Sequence, residues 1–211
     1  MGIIDRGILG GFSGKIGNVV GARWRGKDIM RVVPRKSSKE PTIAQLEQRA
    51  KFTAATKFLN PIKPVLNVYY GVPQGDKSRL NMALSYHIKE AISGVYPSYT
   101  IDYSKVMFAK GNLLGLTGET LVLTVNELTI SWENNSSQSN ALATDELLVL
   151  IYNQNTDTIE IIESAVTRAD AILVRPMLNL VPGQVLSVWA AFHRKADKLV
   201  STSQYLGTVT L

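Results

Sequence analysis

The chain has 211 residues, of which 45% are hydrophobic and 19% are charged, and it contains no cysteine. This composition is that of a globular protein, and the lack of thiols excludes disulfide bonds, zinc–thiolate sites and iron–sulfur clusters. The net charge of +6 belongs to the N-terminal third, because residues 1–63 hold 13 Lys and Arg against 4 Asp and Glu, whereas residues 64–211 hold 10 against 13. This asymmetry predicts either an anionic partner for the N-terminal third or pairing between the two parts of the chain.

The first predicted element is a glycine-rich arm. Residues 1–26 contain eight of the 16 glycines, and a segment of this kind loses much conformational entropy when it becomes ordered. Apolar side chains nevertheless alternate with the glycines, which favours an arm that docks into a groove or onto a sheet edge. The predicted docking residues of this arm are Ile8, Leu9, Phe12, Ile16, Val19 and Val20.

A basic β-hairpin is predicted over residues 18–33, with Gly26–Lys27 as its turn and Trp24 opposite Ile29. An aromatic ring between cations can stack on a base while the cations meet phosphates. The alternative is a Trp24 that covers the sheet beside solvated arginines. The predicted nucleic-acid contacts are Arg23, Trp24, Arg25, Lys27, Arg31, Arg35 and Lys36.

Helices are expected next. Pro41 suits the first turn of a helix that ends near Leu59, and residues 62–70 form either a second helix or an extended segment. Residues 78–93 follow the 3.6-residue period, and Gly94 stands where a C-terminal cap belongs.

From about residue 99 the hydrophobic period changes to two, which predicts an antiparallel β-sandwich of roughly seven strands, immunoglobulin/fibronectin-like, with Trp132 and Trp189 in its core. The fold class is therefore α+β. The predicted domains are an arm and hairpin over residues 1–40, a helical region over 41–98 and the sandwich over 99–211. The predicted strands are 105–109, 120–125, 127–133, 146–152, 158–163, 171–174, 184–192 and 199–210.

The sequence contains no recognisable catalytic motif. His87 lies on the apolar face of the predicted helix and is expected to be a packed, hydrogen-bonded core residue, whereas His193 is expected in an exposed turn. Glu160 and Glu163 fall on opposite faces of one strand, so they do not form an acid–base pair. Residues 153–157 faintly resemble a calcium loop, but a hairpin turn explains them better. We expect no enzyme activity, no catalytic residue, no cofactor and no metal site.

Several segments together resemble an uncharacterised bacterial domain-of-unknown-function family. They are the opening motif from Gly7 to Gly21 (GILGGFSGKxG in its first part), Trp24, residues 48–52, residues 101–105, Asp145 before a strand that ends in Tyr152-Asn153, and the terminal Tyr205-Leu206-Gly207. This resemblance spans essentially the whole chain and implies no known activity. Its positions are mostly glycines and core-like residues, which suits a structural role.

The sequence thus predicts a non-enzymatic structural or interaction protein that assembles with itself through the N-terminal arm, as a filament, shell or phage-type particle subunit. The first alternative is a nucleic-acid-binding protein that uses the basic hairpin, and the second is an enzyme with a dispersed site. Neither a signal peptide nor a membrane span is expected, because charged residues and glycines interrupt the apolar N-terminus. The expected location is the cytoplasm, or an extracellular assembly.

Overall fold

The computed structural model describes residues 2–3, 12–24, 26–35, 38–73, 75, 77–124, 127–177 and 181–211. The chain forms two compact units, Met1–Ile43 (unit 1) and Ala44–Leu211 (unit 2). Helices and antiparallel strands occupy successive parts of the chain, which confirms the predicted α+β class. Within the described ranges, no helix is both long enough and apolar enough to cross a membrane.

Unit 1 contains a four-stranded antiparallel sheet. Its strands are β1 (Gly2–Ile3), β2 (Gly14–Ile16), β3 (Val19–Trp24) and β4 (Lys27–Val32), and their order is β1-β4-β3-β2. The predicted hairpin is therefore present as β3 and β4, and β2 extends its sheet on the far side of β3.

The predicted register of this hairpin is wrong. Trp24 pairs with Lys27 and Ala22 pairs with Ile29, so the turn lies one residue earlier than predicted. Gly26 has φ of +77° and supplies the left-handed conformation at the second position of the turn rather than the first. Because the pairing moves by two residues, Trp24 and Ile29 still share one face.

Three helices open unit 2: α1 (Ile43–Leu59), α2 (Lys63–Tyr69) and α3 (Arg79–Tyr86). The first confirms its prediction, and the second decides between the two alternatives for residues 62–70. The predicted helix over 78–93 ends early, because α3 passes into a π-helical turn at His87–Ala91. A hairpin of β5 (Ile92–Val95) and β6 (Ser98–Ile101) then follows.

Gly94, predicted as the helix cap, lies instead inside β5. Its φ is +94°, and a Cβ at this position would lie 2.5 Å from the carbonyl oxygen of Ser98. The glycine is therefore required by the close approach of the two strands and not by the end of a helix.

The remaining strands are β7 (Thr120–Leu123), β8 (Glu127–Ser131), β9 (Glu146–Asn153), β10 (Thr158–Thr167), β11 (Ile172–Pro176), β12 (Val185–Arg194), β13 (Leu199–Val200) and β14 (Gln204–Thr210). The predicted strand over 105–109 is absent, and a 3-10 turn at Tyr103–Lys105 stands at its start. Among the described residues after 120, the one helical turn is Arg168–Asp170. Seven of the eight predicted strands are thus present, the last of them divided into β13 and β14.

These strands form a sandwich of two antiparallel sheets. One sheet has the order β11-β8-β7, and the other has the order β10-β9-β12, with β13 and β14 both paired to β12. Among the seven long strands, the first, second and fifth form one sheet, and the third, fourth, sixth and seventh form the other. In the immunoglobulin constant-type sandwich, strands 1, 2 and 5 likewise form one sheet, and strands 3, 6 and 7 form the other. The fourth strand differs from that pattern, because here it pairs with the third.

The larger sheet is covered on both faces. Leu147, Val149 and Ile151 of β9 pack against the smaller sheet, whereas Leu148 and Leu150 of the same strand pack against α1 and α2. The two predicted core tryptophans are both buried, but they lie on opposite faces: Trp132 faces the gap between the sheets and Trp189 faces the helices. Unit 2 is consequently built from three layers.

Candidate functional site

The two faces of the unit 1 sheet differ in chemistry, and one of them is apolar. Residues that pair across strands share a face, so the pairs Ile16–Val19 and Val19–Val32 set three aliphatic side chains in one row across β2, β3 and β4. Ile16 is 61% exposed and Val32 is 74% exposed, and Met30 on the same face is 39% exposed. We call Ile16, Val19, Met30 and Val32 the apolar face.

Phe12 covers a part of this face because Gly21 has no side chain. Gly21 pairs with Met30 and is buried, whereas Phe12 is half-buried. A Cβ on Gly21 would lie 2.5 Å from Cε2 of the Phe12 ring. The glycine therefore makes room for the aromatic ring, and the rest of the row stays open to solvent.

The structure brings together three of the predicted docking residues. Phe12, Ile16 and Val19 lie on the apolar face, whereas Val20 faces the other side of the sheet. The other two, Ile8 and Leu9, lie outside the described residues.

The opposite face of the sheet is basic. Val20 pairs with both Lys15 and Arg31, and Trp24 pairs with Lys27. Trp24 is 50% exposed, so an aromatic ring lies at the surface beside one cation, with two more on the same side. We call Lys15, Trp24, Lys27 and Arg31 the basic face.

Strand alternation separates the predicted nucleic-acid contacts. Trp24, Lys27 and Arg31 share the basic face, but Arg23 lies on the apolar face, where it pairs with Asp28. Arg35 is exposed beyond the end of β4. The remaining two, Arg25 and Lys36, lie outside the described residues.

The whole positive charge of the protein belongs to unit 1. Residues 1–43 hold nine Lys and Arg against three Asp and Glu, and residues 44–211 hold 14 of each. Unit 1 therefore has a net charge of +6, and unit 2 has none. A charge concentrated on so small a sheet attracts anions and repels another sheet of the same kind, unless the two meet through an uncharged face.

Unit 2 contains a buried charged network that the sequence did not reveal. Arg168 and Asp145 are both fully buried, and Nη2 of Arg168 lies 3.2 Å from the Asp145 carboxylate. The guanidinium also donates to Asn135 and to the carbonyl of Leu114, at 2.5 and 2.8 Å. Arg194 donates to the other oxygen of Asp145 at 2.8 Å.

Local structure explains why Arg168 enters the core. Thr167 and Asp170 form a capping box around the 3-10 turn Arg168–Asp170, which fixes the backbone on both sides of the arginine. Its guanidinium carbon lies 3.9 Å from the centre of the Phe192 ring. Burial lowers the pKa of Arg168, and the charge of Asp145 opposes that effect. Nη1 and Nη2 of Arg168 bind protein groups, whereas its buried Nε has no hydrogen-bond partner among the described residues. Because both charges are enclosed, we assign the network to the stability of the sandwich.

His87 is the packed residue that the sequence predicts. It is fully buried, its Nδ1 donates to the carbonyl of Ala83 at 2.7 Å, and the backbone N–H of Met107 donates to its Nε2 at 3.2 Å. Burial lowers the pKa of His87. Both ring nitrogens are occupied in the neutral form, so this histidine joins the helical layer to the following loop.

The prediction for His193 is wrong, because this residue is fully buried at the end of β12. Its Nδ1 lies 3.1 Å from the Tyr69 hydroxyl, and its Nε2 lies 3.8 Å from the carboxylate of Glu146. Burial lowers the pKa of His193, against the opposing effect of Glu146. Lys195 binds Glu146 at 3.2 Å and so competes with the imidazole for this carboxylate.

The acidic residues of β10 and of the turn before it are also held in ion pairs. Glu160 pairs with Arg175 at 2.7 Å and Glu163 pairs with Lys195 at 3.4 Å. The carboxylate of Asp157 binds Lys57 and the hydroxyl of Tyr152. Residues 153–157 form the turn between β9 and β10, as predicted. Where side chains are described, no group of three or more His, Asp or Glu is placed to hold a metal ion.

Comparison with known proteins identifies the family. The chain belongs to a family described as a family of unknown function (DUF6266), whose model matches residues 11–207. No curated protein matches the chain. The family match covers unit 1 from residue 11 onward and all of unit 2 except its last four residues.

Proposed function

We propose that this protein is a non-enzymatic structural or interaction protein that assembles with copies of itself through the apolar face of unit 1. The observation that supports the proposal is the row of Ile16, Val19 and Val32 across three neighbouring strands. Contiguous apolar rows at a surface are characteristic of protein interfaces. A filament, a shell or a phage-type particle is the kind of assembly that such a subunit would build.

The described part of unit 1 has a small core, which supports the same proposal. Among its described residues, Ile29 is the one buried hydrophobic side chain. A few strands without a second apolar layer are only marginally stable in water. Covering the apolar face would remove Ile16 and Val32 from water, and each fully buried aliphatic side chain contributes roughly 1.5–3 kcal/mol.

A second copy of the chain fits this face better than a charged partner does. In a two-fold symmetric interface the same patch lies on both sides, so the patch must be complementary to itself. The apolar face meets this requirement, because Ile16, Val19, Met30 and Val32 are uncharged and the neighbouring Arg23 lies opposite an acidic residue, Asp28, in the strand register. Two basic faces would repel each other, since Lys15, Lys27 and Arg31 would oppose their own copies.

The edge of the sheet offers the backbone a second mode of contact. Strand β2 pairs with β3 on one side, and no other described strand pairs with it on the opposite side. An exposed edge of this kind can accept a strand from a neighbouring molecule through main-chain hydrogen bonds. Pairing of β2 with its copy would continue the apolar row from one molecule to the next.

The test replaces one exposed valine in each unit. Val32 of the apolar face and Val95 of unit 2 are 74% and 79% exposed, so Val95→Lys is a matched control for Val32→Lys. We expect the native mass, measured by light scattering, to fall to that of a monomer for Val32→Lys and to remain that of an oligomer for Val95→Lys. Deletion of residues 1–17, which removes β2, should also give monomers with a folded unit 2. A wild-type monomer at high concentration would contradict the proposal, as would a Val32→Lys protein of unchanged native mass.

A second candidate is nucleic-acid binding by the basic face, supported by the half-exposed Trp24 beside Lys27 on the same side as Lys15 and Arg31. Its signature is an affinity for single-stranded DNA that falls steeply with salt and is weakened by Trp24→Ala. Unchanged affinity in that variant would contradict this second candidate.

The bacterial origin implied by the opening motif and the cytoplasmic location are also parts of our proposal.

A further inference from the structure

A groove on unit 2 has a size suited to a small ligand. It has a volume of about 340 Å³ and runs between the end of α2, the start of α3 and strand β13. A smaller cleft of about 160 Å³ continues it past Gly71 and Val72. Ligand sites in proteins have volumes of roughly 300–1,000 Å³, so this groove is at the lower end of that range.

The backbone around the groove is firmly held. Gly71 turns the chain after α2 with φ of +60°, and its N–H donates to the carbonyl of Lys110 at 2.7 Å. The N–H of Lys110 donates in turn to the carbonyl of Tyr69 at 3.0 Å. On the other side, Gly111 packs so closely on β13 that a Cβ would lie 2.8 Å from Cγ1 of Val200. The walls therefore exist without a ligand.

Three cations line the groove, and among the described residues that line it there is no carboxylate. Nε of Arg79 donates to the carbonyl of Gly71 at 2.9 Å, and Nη1 donates to the carbonyl of Asn67 at 3.3 Å. These two partners are neutral carbonyl groups, which orient the guanidinium without neutralising its charge. In the part of the chain that is described, neither Arg79 nor Lys110 nor Lys198 takes part in an ion pair. Positive charges grouped around a concave surface concentrate anions there.

The same groove has an apolar wall. Val68, Val72 and Leu199 line it and are 43%, 77% and 41% exposed. Aliphatic side chains at these exposures favour a ligand that removes them from water. An inorganic anion would meet the cations but leave this wall uncovered, whereas a neutral apolar molecule would cover the wall and leave the cations unpaired.

We infer that this groove binds a small carboxylate with an aliphatic or aromatic body. The carboxylate pairs with Arg79 and with Lys110 or Lys198, and the apolar body lies against Val72 and Leu199. A planar guanidinium held by two backbone carbonyls suits a carboxylate, since its free N–H groups match the two oxygens. The site lies wholly within unit 2 and does not depend on the assembly proposed for unit 1.

The experiment compares three probes on the full chain by ¹H–¹⁵N NMR titration. Hexanoate has both a carboxylate and an aliphatic chain, acetate has the carboxylate without the long chain, and hexanol has the aliphatic chain without the charge. We expect saturable shifts of the Gly71, Gly111 and Leu199 amides with hexanoate, at a concentration about tenfold or more below that needed for either other probe, because burying a body of several CH2 groups adds to the ionic contact.

Substitutions then locate the site. Lys110→Gln and Lys198→Gln should each weaken hexanoate binding about threefold to tenfold, and Val72→Ser should weaken hexanoate binding without changing that of acetate. Lys63→Gln, an exposed lysine of α2 outside the groove, is the matched control and should leave the dissociation constant unchanged. Equal binding of hexanoate and acetate would overturn the inference. It would also be overturned if both groove-lysine variants kept the wild-type spectrum and the wild-type affinity.

Discussion

Replacing Arg168 by Met should destabilise unit 2 by about 3–5 kcal/mol, the range observed when one member of a buried ion pair is removed. Asp145 would keep Arg194 at 2.8 Å and the N–H of Leu142 at 2.9 Å. The larger part of the cost is expected from the acceptors that lose their donor. Asn135 and the carbonyl of Leu114 would both remain enclosed without the guanidinium, and an unsatisfied buried polar group costs about 1–3 kcal/mol.

The matched control is Arg175→Met. Arg175 and Glu160 are each 45% exposed, and their ion pair is shorter than the buried one, at 2.7 Å against 3.2 Å. If distance alone determined the contribution, the exposed pair would matter more. Solvent screening instead limits such a pair to roughly 0–1 kcal/mol, so the two substitutions separate the effect of burial from that of distance.

Urea denaturation followed by near-ultraviolet circular dichroism measures both values, because the buried Trp132 and Trp189 lie in the two halves of the unit 2 core. With a slope of about 1–3 kcal/mol per molar urea, Arg168→Met should lower the midpoint by about 1–5 M. Arg175→Met should lower it by no more than about a third of that shift. An Arg168→Met midpoint as close to wild type as that of Arg175→Met would refute the reasoning.

Two further predictions concern unit 2. Burial lowers the pKa of His87 and His193 below the ordinary 6.5, so these histidines bind protons at a higher pH in the unfolded chain than in the folded one. The free energy of unfolding should therefore decrease as the pH falls below about 6.5. The double variant His87→Gln, His193→Gln should show a weaker dependence of this free energy on pH. Urea midpoints between about pH 7.5 and 5 measure it, and an equal slope in the double variant would contradict the assignment. Gly111→Ala should cost about 1–3 kcal/mol, because the new methyl group would overlap the backbone carbonyl oxygen of Val200. In the control Gly115→Ala, the new methyl group meets the end of the Gln204 side chain rather than backbone, so the melting temperature should fall less than in Gly111→Ala. A larger fall for Gly115→Ala than for Gly111→Ala would contradict the prediction.

The sequence predicts the parts of the fold that depend on local patterns. Alternating hydrophobicity located seven of the eight proposed strands, and helical periodicity located α1 and α3. Boundaries set by tertiary pairing were missed. The apolar periodicity that continues past Tyr86 resembles a helix, but Ile92 pairs with Ile101 and the N–H of Asp102 donates to the carbonyl of Ala91. Pairing between these segments therefore overrides the local helical preference after Ala91.

The candidate sites were less accessible to sequence reasoning. The alternation within β3 would have separated Arg23 from Trp24, because the period of a strand is two, whereas the pairing of Ile16 with Val19 depends on the register between two strands. No comparable signal marked Arg168, whose four neighbours in space come from distant parts of the chain. The capping sequence from Thr167 to Asp170 indicated a short turn, but not that its arginine would be buried. His193 was misplaced because a charged pair follows it, although its own position ends a strand that is otherwise apolar.

The composition of β9 and β12 indicates the helical layer over the larger sheet, although the prediction of a two-layer sandwich did not use it. A strand with one solvated face alternates apolar and polar residues, whereas a strand covered on both faces is apolar throughout. The run Leu147–Tyr152 of β9 has no polar side chain except a hydroxyl, and it is buried at every position. β12 is buried from Leu186 to His193, with Ser187 and His193 as its polar members. A two-layer sandwich cannot bury both faces of these strands, so their composition alone requires a third layer. The apolar helices that precede them in the chain are the elements able to provide that layer, and α1 and α2 do so.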